Sequence, residues 1–263
     1  MKKVEIPKIA LPTLIIAFTC FFGLFINLYL VWRGFYGYYL GFSISLLCLY
    51  YAFTPLHEAA HGNVITGSGI RGKLNTFVGA MSGFLLLAPY VIFRPLHLKH
   101  HSFVNNPQKD PDYWVAGKNP IAVIFKTSTI FFHYYYFYFK SSKNLKNSLA
   151  AVAAYNLIFA LVSLGVVKLT SLEHFLTLWI GPFFVTMTLL GLTFDYIPHH
   201  PHDDQTRYNN ARTFPGFLRS LLMANHNYHI IHHLYPRIPF YLYQKTFDSM
   251  DKKERDLHQR IYH

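Results

Sequence analysis

The sequence predicts an all-α integral membrane protein in which four transmembrane helices carry a cytoplasmic helical cap with a histidine-rich di-metal site. Three observations predict it. Of 263 residues, 52% are hydrophobic and 14% charged, against about 25% charged in an ordinary soluble domain. Long apolar runs recur along the chain. The 16 histidines outnumber all aspartates and glutamates together, which number 12. The apolar and aromatic content excludes a disordered chain. Having only two cysteines, Cys20 and Cys48, excludes a disulfide scaffold. Both sit inside apolar runs, where a thiol behaves as a small hydrophobe.

Residues 9–32 form the first run, without a single charge. At 1.5 Å per residue it reaches about 36 Å, enough to cross a ~30 Å hydrocarbon core with some tilt. The start Met1-Lys2-Lys3 has the look of a signal peptide's basic region. The apolar run is too long for one and no small-x-small site follows, so the run is read as a retained span. The second span covers 38–56. The third covers 149–169 and is uncharged apart from Lys168; the fourth covers 172–194 and is apolar after Glu173 and His174. The links 33–37 and 167–171 are short, so consecutive spans must form antiparallel pairs. Of 24 Lys and Arg, only Arg33 and Lys168 fall in or beside those links. The positive-inside rule therefore places both termini and the histidine-rich stretches in the cytoplasm.

The net charge of +12 is then mostly topology and attraction to anionic headgroups. Nucleic acid is not an expected partner, because the basic residues are scattered around apolar spans. Residues 74–92 contain Gly79, Gly83 and Pro89. Residues 121–139 contain Lys126, His133 and an aromatic run from Tyr134 to Phe139. Both stretches are expected to be interfacial or re-entrant elements on the cytoplasmic side. No repeat or Gly/Ser-rich linker divides residues 1–263, which read as one domain.

Three clusters account for eight of the histidines. In His57-Glu-Ala-Ala-His61 the i,i+4 spacing puts two imidazoles on one helix face, so that one metal can take both. In His97-Leu-Lys-His100-His101 and His229-Ile-Ile-His232-His233 the spacings are i, i+3 and i+4. The adjacent pair of each projects about 100° apart and can reach two different metals. A fourth group, Pro198-His199-His200-Pro201-His202, directly follows the last span. His133, His174, His258 and His263 read as ordinary surface or hydrogen-bonded residues. A zinc protease with Glu58 as base needs one ligand beyond His57 and His61, and here there are many more. Burying so many imidazoles without a partner would leave many polar atoms unsatisfied. One ion takes four to six ligands, so eight or nine histidines imply at least two ions. Imidazole alone does not separate iron from copper or zinc.

The order and spacing of these clusters resemble the three histidine boxes of the membrane fatty acid desaturase and hydroxylase superfamily. The layout of two spans, two boxes, two spans and a final box is also similar, over residues 50–245. The text around the boxes resembles the desaturase-like branch of β-carotene hydroxylases. It runs from His97-Leu-Lys-His100-His101-Ser-Phe-Val-Asn105 to Asp110-Pro-Asp112 and Phe194-Asp195-Tyr-Ile-Pro198-His199. It continues through Asn210-Ala-Arg212 to Asn227-Tyr228-His229-Ile-Ile-His232-His233-Leu-Tyr-Pro236-Arg-Ile-Pro239. Carotenoid ketolases and several lipid desaturases share parts of it. The chain departs from that branch at His200, where Arg is usual, and at His226, where Gln is usual.

The resemblance implies two iron ions held by His57, His61, His97, His100, His101, His199, His229, His232 and His233. It nominates Asp195, one turn before His199, as a polar residue that reaches an iron through water. Asn105, Asp110, Asp112 and Glu58 are expected to orient ligating imidazoles. The implied reaction is O2-dependent oxidation of an unactivated C–H bond in a long apolar lipid. Hydroxylation of a carotenoid ring is the leading expectation; desaturation or hydroxylation of a fatty acyl chain is the alternative. Phe131, Phe132, Tyr134 and Tyr135 are candidates to line the substrate channel. The sequence contains no cytochrome b5-like haem domain and no dinucleotide fingerprint, so electrons are expected from a separate ferredoxin- or cytochrome b5-type protein docking on the basic face. A histidine-lined metal transporter would need ionisable residues within the spans; the clusters flank them instead.

Overall fold

A computed structural model of the chain describes residues 4–142, 145–251 and 255. The Met1-Lys2-Lys3 start, His258 and His263 lie outside the described residues. Helices α1 (Leu11–Trp32) and α2 (Tyr38–Ala60) pack as an antiparallel pair. A long third helix, α6, covers Leu145–Leu169, and a fourth, α7, covers Leu172–His199. Among the described residues these four helices are long and apolar enough to cross a membrane. Their outward faces are apolar: Ile15, Phe22 and Ile26 of α1, Leu157, Ile158 and Leu161 of α6, and Phe184 and Leu189 of α7 are exposed. A soluble protein would cover such a surface, whereas lipid tails suit it. The helices overrun the apolar segments read from the sequence. α2 continues through the first histidine pair and α7 through Asp195 to His199, because those polar side chains turn inward.

Two sets of contacts give the bundle its ends. At one, His174 of α7 lies 2.8 Å from the Leu28 oxygen and 3.3 Å from the Tyr38 hydroxyl. This buried histidine is one of those expected to be merely hydrogen-bonded. At the other, the Ala10 amide donates to Val64 O, just beyond the end of α2. The chain reaches the histidines of α2 and α7 at this second end.

Between the spans the chain builds an elbow. Helices α3 (Ile70–Leu85) and α4 (Tyr90–Phe103) meet at 101°. Asn75 of α3 donates to Ala59 O, and α4 carries the second histidine box. Both arms therefore end at the histidine end, which makes the elbow re-entrant within the bundle. Its corner is buried: the Trp179 indole of α7 donates to Leu85 O. The corner also needs glycine, because a Cβ on Gly83 would lie 2.3 Å from Ala88 O.

After a 3₁₀ turn at Pro111–Val115, α5 (Pro120–Ser141) packs on α7 through Val123, Thr127 and Ile130. Gly191 permits that contact; a Cβ there would meet Thr127 Cβ at 2.7 Å. The rest of the chain caps the histidine end with short helices α8 (Phe217–Leu222), α9 (His229–Leu234) and α10 (Tyr243–Asp248). Ile230, Ile231, Leu234, Phe240 and Tyr243 form its small core. Asn63 donates to Pro236 O and Arg237 to His61 O, which ties the third box to the first.

Candidate metal centre

α2 delivers His57 and His61 in its last turn and C-cap. α4 delivers His97, His100 and His101, α7 ends on His199, and α9 begins on His229 and carries His232 and His233. Two wide π turns, Leu176–Ile180 and Gly191–Tyr196, interrupt α7. The second lies just before His199 and re-aims the helix end; such bulges gather at functional sites.

The nine imidazoles converge as two adjacent groups. His57, His61, His97, His101 and His232 form one, and His100, His199, His229 and His233 the other, with candidate ligand atoms within 4.8 Å of one another in each. Both boxes with adjacent histidines are divided: His100 faces one group and His101 the other, and His233 and His232 divide likewise. The groups abut where the His101 and His233 rings stack at 4.4 Å.

Within the groups Nε2 atoms face each other: His61 and His97 at 2.7 Å, His101 and His232 at 2.8 Å, His199 and His229 at 3.0 Å. Several outer nitrogens have acceptors, whereas His229 Nδ1 is buried without one. His199 Nδ1 lies 2.8 Å from Asn210 O, and a carbonyl only accepts, so the proton sits on Nδ1 and the Nε2 lone pair points inward. His100 Nδ1 donates to Asp110 Oδ1 at 2.9 Å and lies 3.2 Å from Asp112 Oδ2. His232 Nδ1 donates to the Tyr243 hydroxyl at 2.8 Å, which donates to Glu58 Oε1 at 3.2 Å. The inner His57 Nε2 is buried with no hydrogen-bond partner. With the Nε2 lone pairs of His100, His199 and His232 turned inward among six further imidazoles, the donor set fits two cations that accept neutral imidazole. Burial and neighbouring imidazoles hold His232 and His233 well below the ordinary histidine range. Burial, with Arg237 and Arg94 nearby, brings His61 down to about 3. These rings stay neutral and ready to ligate near neutral pH.

The supporting residues divide. Asp110 and Asp112 touch His100 as expected. Glu58 acts through Tyr243, which no spacing in the sequence pointed to. Asn105 touches no imidazole: its amide N–H donates to Asp110 Oδ2, and its side chain donates to Asp204 O and Asn210 O. It braces the two residues that touch His100 and His199. Asp195 belongs to neither histidine group; it lines an apolar cavity of about 60 Å³ among α2, α4, α5 and α7. Phe131, Tyr134 and Tyr135 line the same cavity, whereas Phe132 faces outward, 57% exposed. Tyr134 also donates to Asp112. His200 and His202 belong to neither group. His226 is fully buried against His57.

A helical chain with four apolar spanning-length helices, and nine histidines gathered in two groups at one end of them, defines the class of histidine-box proteins. The chain matches the fatty acid desaturase family over residues 32–263, and it belongs to that family. It is similar to an omega-3 fatty acid desaturase of the endoplasmic reticulum from Vigna radiata var. radiata, 26% identical over 224 residues, covering 70% of this chain and 57% of that protein. It is also similar to a dihydrorhizobitoxine desaturase from Bradyrhizobium elkanii, 24% identical over 220 residues, covering 73% of this chain and 62% of that protein. The matches thus span less than two thirds of these relatives' own lengths. Membership of the desaturase superfamily, expected from the boxes, is borne out.

Proposed function

We propose that the protein is an O2-dependent di-iron desaturase or hydroxylase acting on the acyl chain of a membrane lipid. The observation that carries this reading is the five-plus-four gathering of buried imidazoles beside an apolar cavity. His57, His61, His97, His101 and His232 hold one iron and His100, His199, His229 and His233 the other. Bound there, the irons supply the O2-dependent oxidation of an unactivated C–H bond.

The residues around them position the substrate and keep water away. Phe53 and Phe93 line the cavity and pack on His57 and His97, with ring centroids 5.6 and 5.4 Å apart. An alkyl chain in the cavity thus lies against the five-histidine group. Tyr134, also in the wall, links the cavity through Asp112 to His100. Asp195 is the carboxyl facing the substrate side, placed to hold a proton or an ordered water. The cavity's almost wholly apolar lining suits an alkyl chain. The matched family and the name of one relative, an omega-3 fatty acid desaturase, favour an acyl reaction over the carotenoid-ring hydroxylation expected from the flanking text.

The histidine end, rich in basic residues, lies in the cytoplasm with both termini, and electrons come from a separate donor protein. His101 and His233, one from each group, are only partly buried and line a solvent-facing opening with Gln205 and Arg207. A donor seated there comes closest to both ions. The test is expression in a host that makes β-carotene, with acyl-chain and carotenoid profiling of wild type and His100→Ala. The expected result is a new double bond or hydroxyl in acyl chains, absent from the variant, with carotenoids unchanged. New hydroxylated carotenoids beside unchanged acyl chains would overturn the acyl assignment.

A further inference from the structure

We infer that His226 is a positioning residue that fixes the tautomer and orientation of His57, so that His57 presents Nε2 to the five-histidine group; this rests on the metal-centre reading above. His226 belongs to no histidine box, and it stands just before the box helix α9, in the 3₁₀ turn His226–Tyr228. Its ring is fully buried. Nδ1 lies 3.0 Å from both Met223 O and Ala224 O. Two carbonyls can only accept, so Nδ1 carries the proton. A fully buried imidazole holds one proton rather than two, and Nε2 is left as a bare acceptor. That acceptor faces His57 Nδ1 at 3.3 Å.

The consequence is a forced sequence of donors. Met223 O and Ala224 O bind the His226 Nδ1–H, His226 Nε2 binds the His57 Nδ1–H, and His57 Nε2 keeps its lone pair. His57 Nε2 is the atom found buried without a partner. Glu58 is the competing acceptor, but its Oε1 is 3.8 Å from His57 Nδ1 and already accepts from Tyr243.

The backbone is shaped for the task. Ala224 and Asn225 both adopt left-handed conformations, with φ of 45° and 59°. For Ala224, which has a Cβ, that conformation is disfavoured. The turn brings the two carbonyls onto one side of the His226 ring. Phe240 stacks on the ring at 6.1 Å with an interplanar angle of 5°, and Phe194 meets it edge-on at 4.9 Å. Gln in place of His226 carries an amide oxygen at nearly the reach of Nε2 and keeps the acceptor. Asn stops at the reach of Nδ1 and loses it.

The experiment uses the full chain in detergent, as wild type, His226→Gln, His226→Asn and His226→Leu. Bound iron per chain, the rate of iron release to a ferrous chelator, the Mössbauer spectrum of the reduced protein and the thermal unfolding temperature are measured. The expected result is two irons and near wild-type release from the Gln variant. The Asn and Leu variants should release one of the two irons about 10- to 100-fold faster. The lost spectral component should match the one lost in His101→Ala, not in His100→Ala. If Asn and Leu fold and keep both irons at wild-type rates, or if Gln behaves like Leu, His226 only fills space and the inference fails. If Leu does not fold, the Gln and Asn pair decides. Wild type that binds no iron would refute the metal-centre reading itself, a different outcome from two irons unaffected by any substitution.

Discussion

Asp110→Asn changes one atom's worth of chemistry at the most heavily used carboxylate of the site. Asp110 is the N-cap of the 3₁₀ turn that follows the second box, and it is 4% exposed. Three N–H groups converge on it: His100 Nδ1 and Asp112 N on Oδ1, both at 2.9 Å, and Asn105 N on Oδ2 at 2.8 Å. An asparagine offers one oxygen. Placed at the Oδ1 position, its amide NH2 points at the Asn105 N–H, donor against donor; flipped, it opposes two donors. The smallest loss is therefore one hydrogen bond to a charged group, worth about 1.5–3 kcal/mol, plus a weaker grip on His100. Separately, the neutral oxygen left to His100 orients it less firmly, and affinity for the ion it holds should fall roughly 10- to 100-fold, the range seen when a residue orienting a metal ligand is removed. Chelator competition on the purified protein measures it, and thermal unfolding should show a drop of about 2–4 °C per kcal/mol lost. Asp110→Asn with iron affinity within threefold of wild type would refute the claim that this carboxylate orients His100.

Three further outcomes are expected. Gly191→Ala forces its Cβ onto Thr127, 2.7 Å away at the α5–α7 contact. Overpacking of that kind costs about 1–3 kcal/mol, more than the helix propensity gained, so the unfolding temperature should fall and the apolar cavity beside it should bind chains less well. Metal-free protein should lose stability as pH falls. His61, brought by burial down to about 3 in the fold, takes a proton near 6.5 when unfolded, so below pH 6.5 the unfolded chain binds more protons. Each such histidine removes about 1.4 kcal/mol by pH 5.5; His100, which Asp110 and Asp112 raise to about 9 against the effect of its burial, acts in the opposite sense and loses its contribution as pH climbs from 6.5 towards 9. Denaturant titrations between pH 5 and 8 test this, and a midpoint that rises on acidification would contradict it. Asp195→Asn should keep two irons, since Asp195 lies outside both histidine groups, while product formation falls. Iron analysis beside acyl-chain profiling separates the two effects, and loss of an iron would make Asp195 a metal support instead.

Much of this protein is written locally. Uncharged runs long enough to cross a bilayer, joined by links too short for anything but a hairpin, required paired helices. The i, i+3, i+4 spacing of the boxes required that His100 and His101, and His232 and His233, diverge around their helices. Periodicity carries such information because each residue's direction follows from its neighbours through backbone geometry. The tertiary structure decided which separate surfaces meet. It placed His232 beside His57 and His233 beside His100, carried the Tyr243 hydroxyl between His232 and Glu58, and took Asn105 off the imidazoles to brace Asp110. It also extended α2 and α7 beyond their apolar stretches to His61 and His199, because histidines that face one another across the bundle need not face lipid. His57 and His232, His100 and His233, and Glu58 and Tyr243 lie well over a hundred residues apart, and their meeting depends on how the elbow, the π turns of α7 and the small cap core pack together, which no local spacing contains.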